Sequence, residues 1–262
     1  MKNFPKVLTS VKIASIARLA LVVTEIDAFD ASAAEVRFLC ADALESSMQE
    51  LIPEFEKTNG HSVKMILANA GTNTERIRKG DVADLAIVLP QQWETLRQEG
   101  KIDPAVRTVI GKVGLGAFVK KGAARPDISS VEALKHALLN ARAIGVRDPS
   151  KGSPVGTYVI ALFDRLGIGD DIKPKLRLTA DRPYETVAKG DAEIGFSTIA
   201  EIVASPEVDL VGPLPSEIQN FNIFTTAIPI NAEQVAATKL FIEYLTSPRA
   251  TAVFKSKGIG PG

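Results

Sequence analysis

Arg147, Ser150, Lys151, Ser153 and Thr157 put one guanidinium, one ammonium and three hydroxyls into a short segment beside a helical pattern that begins at Val155. A guanidinium grips a carboxylate or phosphate through two parallel hydrogen bonds, and an ammonium adds a mobile point charge. The first turn of a helix has backbone N–H groups without intrahelical partners and a positive partial charge. Together these groups suit an anion. The competing reading is local: Arg147 could pair with the adjacent Asp148, and Lys151 could stand in solvent. A second polar group, Asn69, Thr72 and Asn73, follows a strand pattern at Val63–Leu67 and surrounds Gly71. It reads either as a helix cap and turn or as a ligand contact. Ser197 and Thr198 end a further strand pattern. Their hydroxyls could face a ligand or cap a helix starting near Ile199.

Counting excludes other chemistries. The chain has 262 residues, two His and one Cys. That is too few for a multi-Cys or His-rich metal centre, and no Ser-His-Asp or Cys-His order is credible. No metal or other cofactor is expected. Gly111–Gly116 lacks the spacing of a phosphate or dinucleotide loop. Lys and Arg total 31, as do Asp and Glu, a balance that argues against a nucleic-acid partner. Cys40 lies in an apolar run and reads as a buried, inert thiol.

The elements that must position these groups follow from hydrophobic periodicity. Strands are expected at Val36–Cys40, Val63–Leu67, Leu85–Leu89, Val113–Val119, Ala143–Val146, Glu193–Ser197 and Asn222–Ile230, with a crossing at Asp209–Pro213. Helices are expected at Leu44–Lys57, with Asp42 as N-cap and a kink at Pro53, then at Thr72–Arg78, Trp93–Glu99 and Val131–Asn140. More follow at Val155–Leu166, Tyr184–Lys189, Ala232–Leu245 and Arg249–Lys255. Alternating strands and helices imply an α/β fold of mostly parallel sheets flanked by helices, with ligands at the carboxyl ends of strands. Residues 1–34 read as an export signal, with Lys2, Lys6, Lys12 and Arg18 before an apolar run and Ala31-Ser32-Ala33 before a cleavage point. An unstructured start is the alternative reading.

Four stretches give the chain a family likeness. They are Phe38–Leu44 leading to Pro53–Lys57; Asn69-Ala70-Gly71-Thr72 with Ile77–Gly80 and Ala83-Asp84-Leu85; Ser153–Tyr158; and the tail Ala236–Lys255. In this order they resemble the molybdate-binding branch of the bacterial periplasmic solute-binding proteins. The resemblance covers roughly residues 35–262. It implies a two-lobed type II Venus-flytrap fold, with lobe one at 35–117 plus 222–262 and lobe two at 118–221. It also implies a small anionic ligand in the cleft, a periplasmic location, ABC-importer membrane components as partners, and a monomer. The ligand-contact candidates are Asp42, Ala43, Asn69, Gly71, Thr72, Arg147, Lys151, Ser153, Val155, Thr157, Ser197 and Thr198. The family's first-lobe serines would fall near Ala43 and near Ala70 or Gly71, and none of these carries a hydroxyl. Thr198 falls near its second-lobe tyrosine. These departures point away from molybdate and toward a small carboxylate or another oxyanion. The alternative is an enzyme similar to aconitate isomerase, moving an allylic proton between cis- and trans-aconitate. Asp42, Glu75, Asp148 and Tyr158 are its candidate bases.

Overall fold

The computed structural model of the chain describes Met1 and residues 33–262. The export-signal reading falls almost wholly on residues outside that range. The described chain opens with β1 (Glu35–Ala41), α1 (Glu45–Asn59), β2 (Ser62–Ala68), α2 (Ala70–Lys79), β3 (Leu85–Val88) and α3 (Pro90–Gln98). A long strand, β4 (Val109–Lys120), leads into α4 (Val131–Asn140), β5 (Ile144–Arg147), α5 (Pro154–Arg165), α6 (Gly169–Ile172) and β6 (Leu176–Thr179). Then come α7 (Tyr184–Lys189), β7 (Ile194–Thr198), α8 (Ile199–Ala204), β8 (Val208–Pro213), β9 (Phe221–Ala227), α9 (Val235–Leu245) and α10 (Pro248–Ser256).

The strands join in the order β2-β1-β3-β9-β4-β7-β5-β6, with β8 also on β4. Strand β1 is parallel to β2 and β3, and β5 is parallel to β6 and β7. The returning strands are antiparallel: β9 lies between β3 and the first part of β4, and the second part of β4 pairs with β7 and β8. One strand thus belongs to both halves of the molecule.

Each half is covered on both faces, which is why its strands read as continuous apolar runs. Successive β1 side chains alternate: Phe38 and Cys40 pack with Met48, Phe55, Phe241 and Phe254, while Leu39 packs with Ile77, Trp93 and Leu96. The Phe38 and Phe241 rings meet edge to face at 5.5 Å. In the other half Ile144 and Val146 pack under α4 and α5, while Phe118 packs on the opposite face with Tyr184, Val187 and Ile202. Cys40 is fully buried, and burial pushes its thiol pKa well up, so it stays protonated.

Helix α1 runs through Pro53 to Asn59. Two local expectations change. Asp42 does not cap α1; it opens a short 3-10 turn through Leu44, and its carboxylate is engaged elsewhere. The four-residue strand β6 was not expected from the sequence, because Leu-Arg-Leu-Thr is too short and too exposed to show a pattern. No helix of the described residues is long and apolar enough to cross a membrane.

Candidate functional site

The carboxyl ends of β1, β2, β5 and β7 converge on a small cavity of about 30 Å³. Its lining includes Asp42, Ala43, Asn69, Ala70, Arg147, Ser153, Val155, Thr198, Glu201 and Asn222. Two helices begin at it. At α2, Asn69 Oδ1 accepts the Thr72 N–H at 2.9 Å, which leaves the Ala70 and Gly71 N–H groups in the uncapped first turn. At α5, Ser153 Oγ accepts the Gly156 N–H at 3.0 Å; Pro154 has no N–H, so Val155 presents the next one. Both helix dipoles point their positive ends into the same space.

Charge is concentrated beside this space. Arg147 Nη1 donates to Asp42 Oδ2 at 2.7 Å across 105 residues of sequence, and both side chains are nearly buried. Arg182 reaches three acids: Glu45 Oε2 at 2.7 Å, Glu201 Oε1 at 3.2 Å and Asp42 Oδ1 at 3.7 Å. Burial works against the Arg182 charge, but the charges of Glu201, Asp42 and Glu45 and the hydrogen bond to Glu45 outweigh it and raise its pKa. Thr198 caps the N-terminus of α8: its Oγ1 accepts the Glu201 N–H at 3.4 Å and donates to Glu201 Oε2 at 2.6 Å. Ser197 Oγ donates to the same oxygen at 3.0 Å. The Tyr184 hydroxyl is buried without a hydrogen-bond partner; burial, and then the Glu201 charge, raise its pKa. Arg147 Nε and Glu201 Oε1 are also buried without a hydrogen-bond partner.

The sequence-derived candidates divide by place. Asp42, Ala43, Asn69, Arg147, Ser153, Val155 and Thr198 line the central cavity. Ser197 and Thr198 direct their hydroxyl hydrogens to Glu201. Gly71, Thr157, Glu75 and Tyr158 line a larger cavity of about 850 Å³ next to it, which shares Pro154 and Asn222 with the central one. Glu75 there is ion-paired with Arg78, Thr157 donates to the Ser153 carbonyl, and Tyr158 donates to the Ile218 carbonyl at 2.7 Å. Asp148 accepts the Ser150 N–H, and that bond holds its pKa below the usual value. The Lys151 side chain is exposed, but its carbonyl accepts from Asn69 Nδ2 at 3.1 Å and stands 3.5 Å from Thr72 Oγ1. On the other side of the central cavity lies a third, of about 350 Å³, lined by Glu45, Gln49, Arg182 and Tyr184 and sharing Asp42, Ala43 and Glu201. Sequence reasoning missed Glu201, Arg182 and Asn222. Only Glu201 left a local signal, the Thr-x-x-Glu spacing of a capping box.

Gly71 and Gly152 bring the two helix starts into backbone contact. A Cβ on Gly71 would stand 2.0 Å from the Gly152 carbonyl oxygen, and Gly152 itself has φ +75°. Residues 69–72 and 151–153 therefore meet as closely as backbones allow, and this contact separates the central cavity from the large one.

Known proteins share this architecture. The chain is 24% identical to the aconitate isomerase of a Pseudomonas species over 229 residues, covering 85% of this chain and 86% of that protein. It is 27% identical to the molybdate-binding protein ModA of Escherichia coli K12 over 228 residues, covering 86% and 88%. The solved structure of the Azotobacter vinelandii periplasmic molybdate-binding protein superposes with a TM-score of 0.73 at 19% identity, covering 87% of this chain and 99% of that one. A family model described as bacterial extracellular solute-binding protein matches residues 36–260, and the chain belongs to that family.

Proposed function

We propose that the protein captures a small anionic solute in the central cavity and delivers it, in the periplasm, to the membrane components of an ABC importer. The observation that supports this reading is the convergence on one small cavity of two helix N-termini and Arg147, whose Nε is buried without a partner. Residues 35–117 plus 222–262 and residues 118–221 act as the two lobes that close on the solute. Asn69, Ser153, Val155, Asn222 and Arg147 are the contacts nearest to it, and none requires a cofactor. Molybdate is disfavoured, because Ala43 and Ala70 stand where hydroxyls would be needed and the Ser197 and Thr198 hydroxyls are committed to Glu201.

The resemblance to an aconitate isomerase supports a second reading. Of its four candidate bases only Asp42 lines the central cavity, and Arg147 holds it. A proton NMR time course with cis-aconitate separates the two readings. Line broadening at stoichiometric protein without conversion is the result expected of a capture protein. Appearance of trans-aconitate at catalytic protein concentration makes it an isomerase and overturns capture as the main role.

A further inference from the structure

The two halves are joined where the chain crosses between them. Strand β4 changes partners between Gly114, the last residue paired with β9, and Leu115, the first paired with β7. The return crossing runs from Leu214, just past β8, through a short 3-10 turn at Ser216–Ile218 to Phe221 at the start of β9. One side chain ties the two crossings together. Gln219 Oε1 accepts the Leu115 N–H at 2.8 Å and the Asn220 N–H at 2.9 Å. Its Nε2 donates to the Leu115 carbonyl at 3.1 Å and to the Leu214 carbonyl at 3.3 Å. A carboxamide has two N–H donors and two acceptor lone pairs, so this one is fully used, and every partner is backbone. Gly114 leaves room for it: a Cβ there would stand 3.3 Å from Gln219 Cδ. Gln219 lines none of the three cavities.

Two separate connections can each absorb their own change in φ and ψ, so halves joined that way can shear as well as rotate. Connections tied at one place leave rotation about that place as the easier motion. Gly114 and Gly116 flank Leu115 and supply the backbone freedom such a rotation needs. Resting on the reading that the halves close on a solute, we propose that Gln219 is a hinge pin. It binds both crossings into one axis, so that closure brings Arg147 to Asp42 and residues 151–153 to residues 69–72 in register. Gln219 is therefore a positioning residue, acting on the solute only through the population of the closed arrangement.

Distances between the halves test this. Cys40 is buried, so cysteines introduced at exposed positions, Lys57→Cys on α1 and Glu132→Cys on α4, can be spin-labelled selectively. Pulsed electron paramagnetic resonance then reads the separation of the halves with no solute required. The labelled but otherwise unmodified chain should give one narrow distribution, and Gln219→Ala should broaden it toward longer distances. Gln219→Glu keeps the shape but sets an oxygen against the Leu115 and Leu214 carbonyls, and should broaden it as well. Acetate or sulfate, whichever binds the unmodified chain, should bind about tenfold more weakly, since affinity scales with the fraction that is competent to bind. An unchanged distribution in both folded variants overturns the pin. Broadening with undiminished affinity supports the pin and overturns the reading that closure holds the solute. Should neither variant fold, hydrogen exchange on the unmodified chain decides: the Asn220 N–H, which the Gln219 carboxamide accepts, should be protected like its strand neighbours. Exchange at the rate of an open loop overturns the proposal.

Discussion

At the scale of single residues, the Arg147–Asp42 pair is the point where a substitution should be most informative. Arg147→Ala leaves Asp42 nearly buried without its donor and takes Nε from the cavity. An anion bound there should weaken by about 2–5 kcal/mol, read by calorimetry with whichever probe binds the unmodified chain. Unchanged affinity would remove Arg147 from the site. A second residue matters for stability alone. Asp84 is fully buried and accepts from the Arg37 N–H and Nε and from the N–H groups of Glu233 and Gln234, at 2.8–3.1 Å. Burial opposes its charge, but these four bonds prevail and its pKa is lowered from 3.8. A carboxylate held below its unfolded value adds stability above that value, and the contribution is lost as pH falls through the folded one. Asp84→Asn should therefore cost about 3 kcal/mol at neutral pH in urea unfolding and flatten the decline of stability below pH 3.8. An unaltered acid limb would refute that assignment. Arg147 drew attention in the sequence because it precedes a helix start, and Asp42 as a ligand contact and candidate base, but not as partners of each other. The competing local reading paired Arg147 with Asp148, whereas the chain folds Asp42 against it from 105 residues away. Arg182 and Asn222 left no trace in the sequence, because their meaning lies wholly in neighbours brought by topology.

At the scale of elements, the two glycines at the helix starts make a cleaner test than any charge. Gly71→Ala puts a methyl group 2.0 Å from the Gly152 carbonyl oxygen, so residues 69–72 and 151–153 must separate. In the helix itself Ala is favoured over Gly by up to about 1 kcal/mol. The expected signature is therefore split: a melting temperature without solute that is unchanged or higher, with solute affinity at least about tenfold weaker, roughly one hydrogen bond to the charged solute lost. Loss of stability together with affinity would mean that the contact is structural. Gly156 differs, because a Cβ there would stand 2.0 Å from the Arg147 carbonyl oxygen, within one half of the molecule. Gly156→Ala should lower stability by about 1–3 kcal/mol, measured by denaturant unfolding. Most elements were legible in the sequence for a simple reason. Strands buried on both faces show as apolar runs such as Phe38–Cys40, and amphipathic helices such as α1 and α9 keep their spacing. The edge strand β6 was hidden, since Leu176 and Leu178 are not buried and Leu178 is exposed. The length of β4 was hidden too, because three glycines at 111, 114 and 116 dilute its pattern where other segments of the chain come close.

At the scale of the whole molecule, two halves and three cavities that share lining residues make solute binding a global event. A solute that binds only the folded, closed chain raises stability with its concentration, by about 2.7 kcal/mol at one hundred times its dissociation constant. A saturable rise in melting temperature with a small carboxylate or oxyanion, absent in Arg147→Ala, is the expected result. A shift that persists in that variant would place binding elsewhere. The strand order has a further consequence, for the timing of synthesis. Phe38 and Cys40 pack against Phe241 and Phe254, and β3 is flanked by β9 rather than by any strand made before it on that side. The earliest part of the chain to emerge from a ribosome thus lacks part of its own core until the last residues are made. The middle segment, with its parallel strands and both helical layers, has its partners in hand sooner. Vectorial synthesis here completes the interior of the sequence before its beginning, and a nascent chain arrested before Val235 should leave Phe38 and Phe55 open to protease while residues 131–198 resist it.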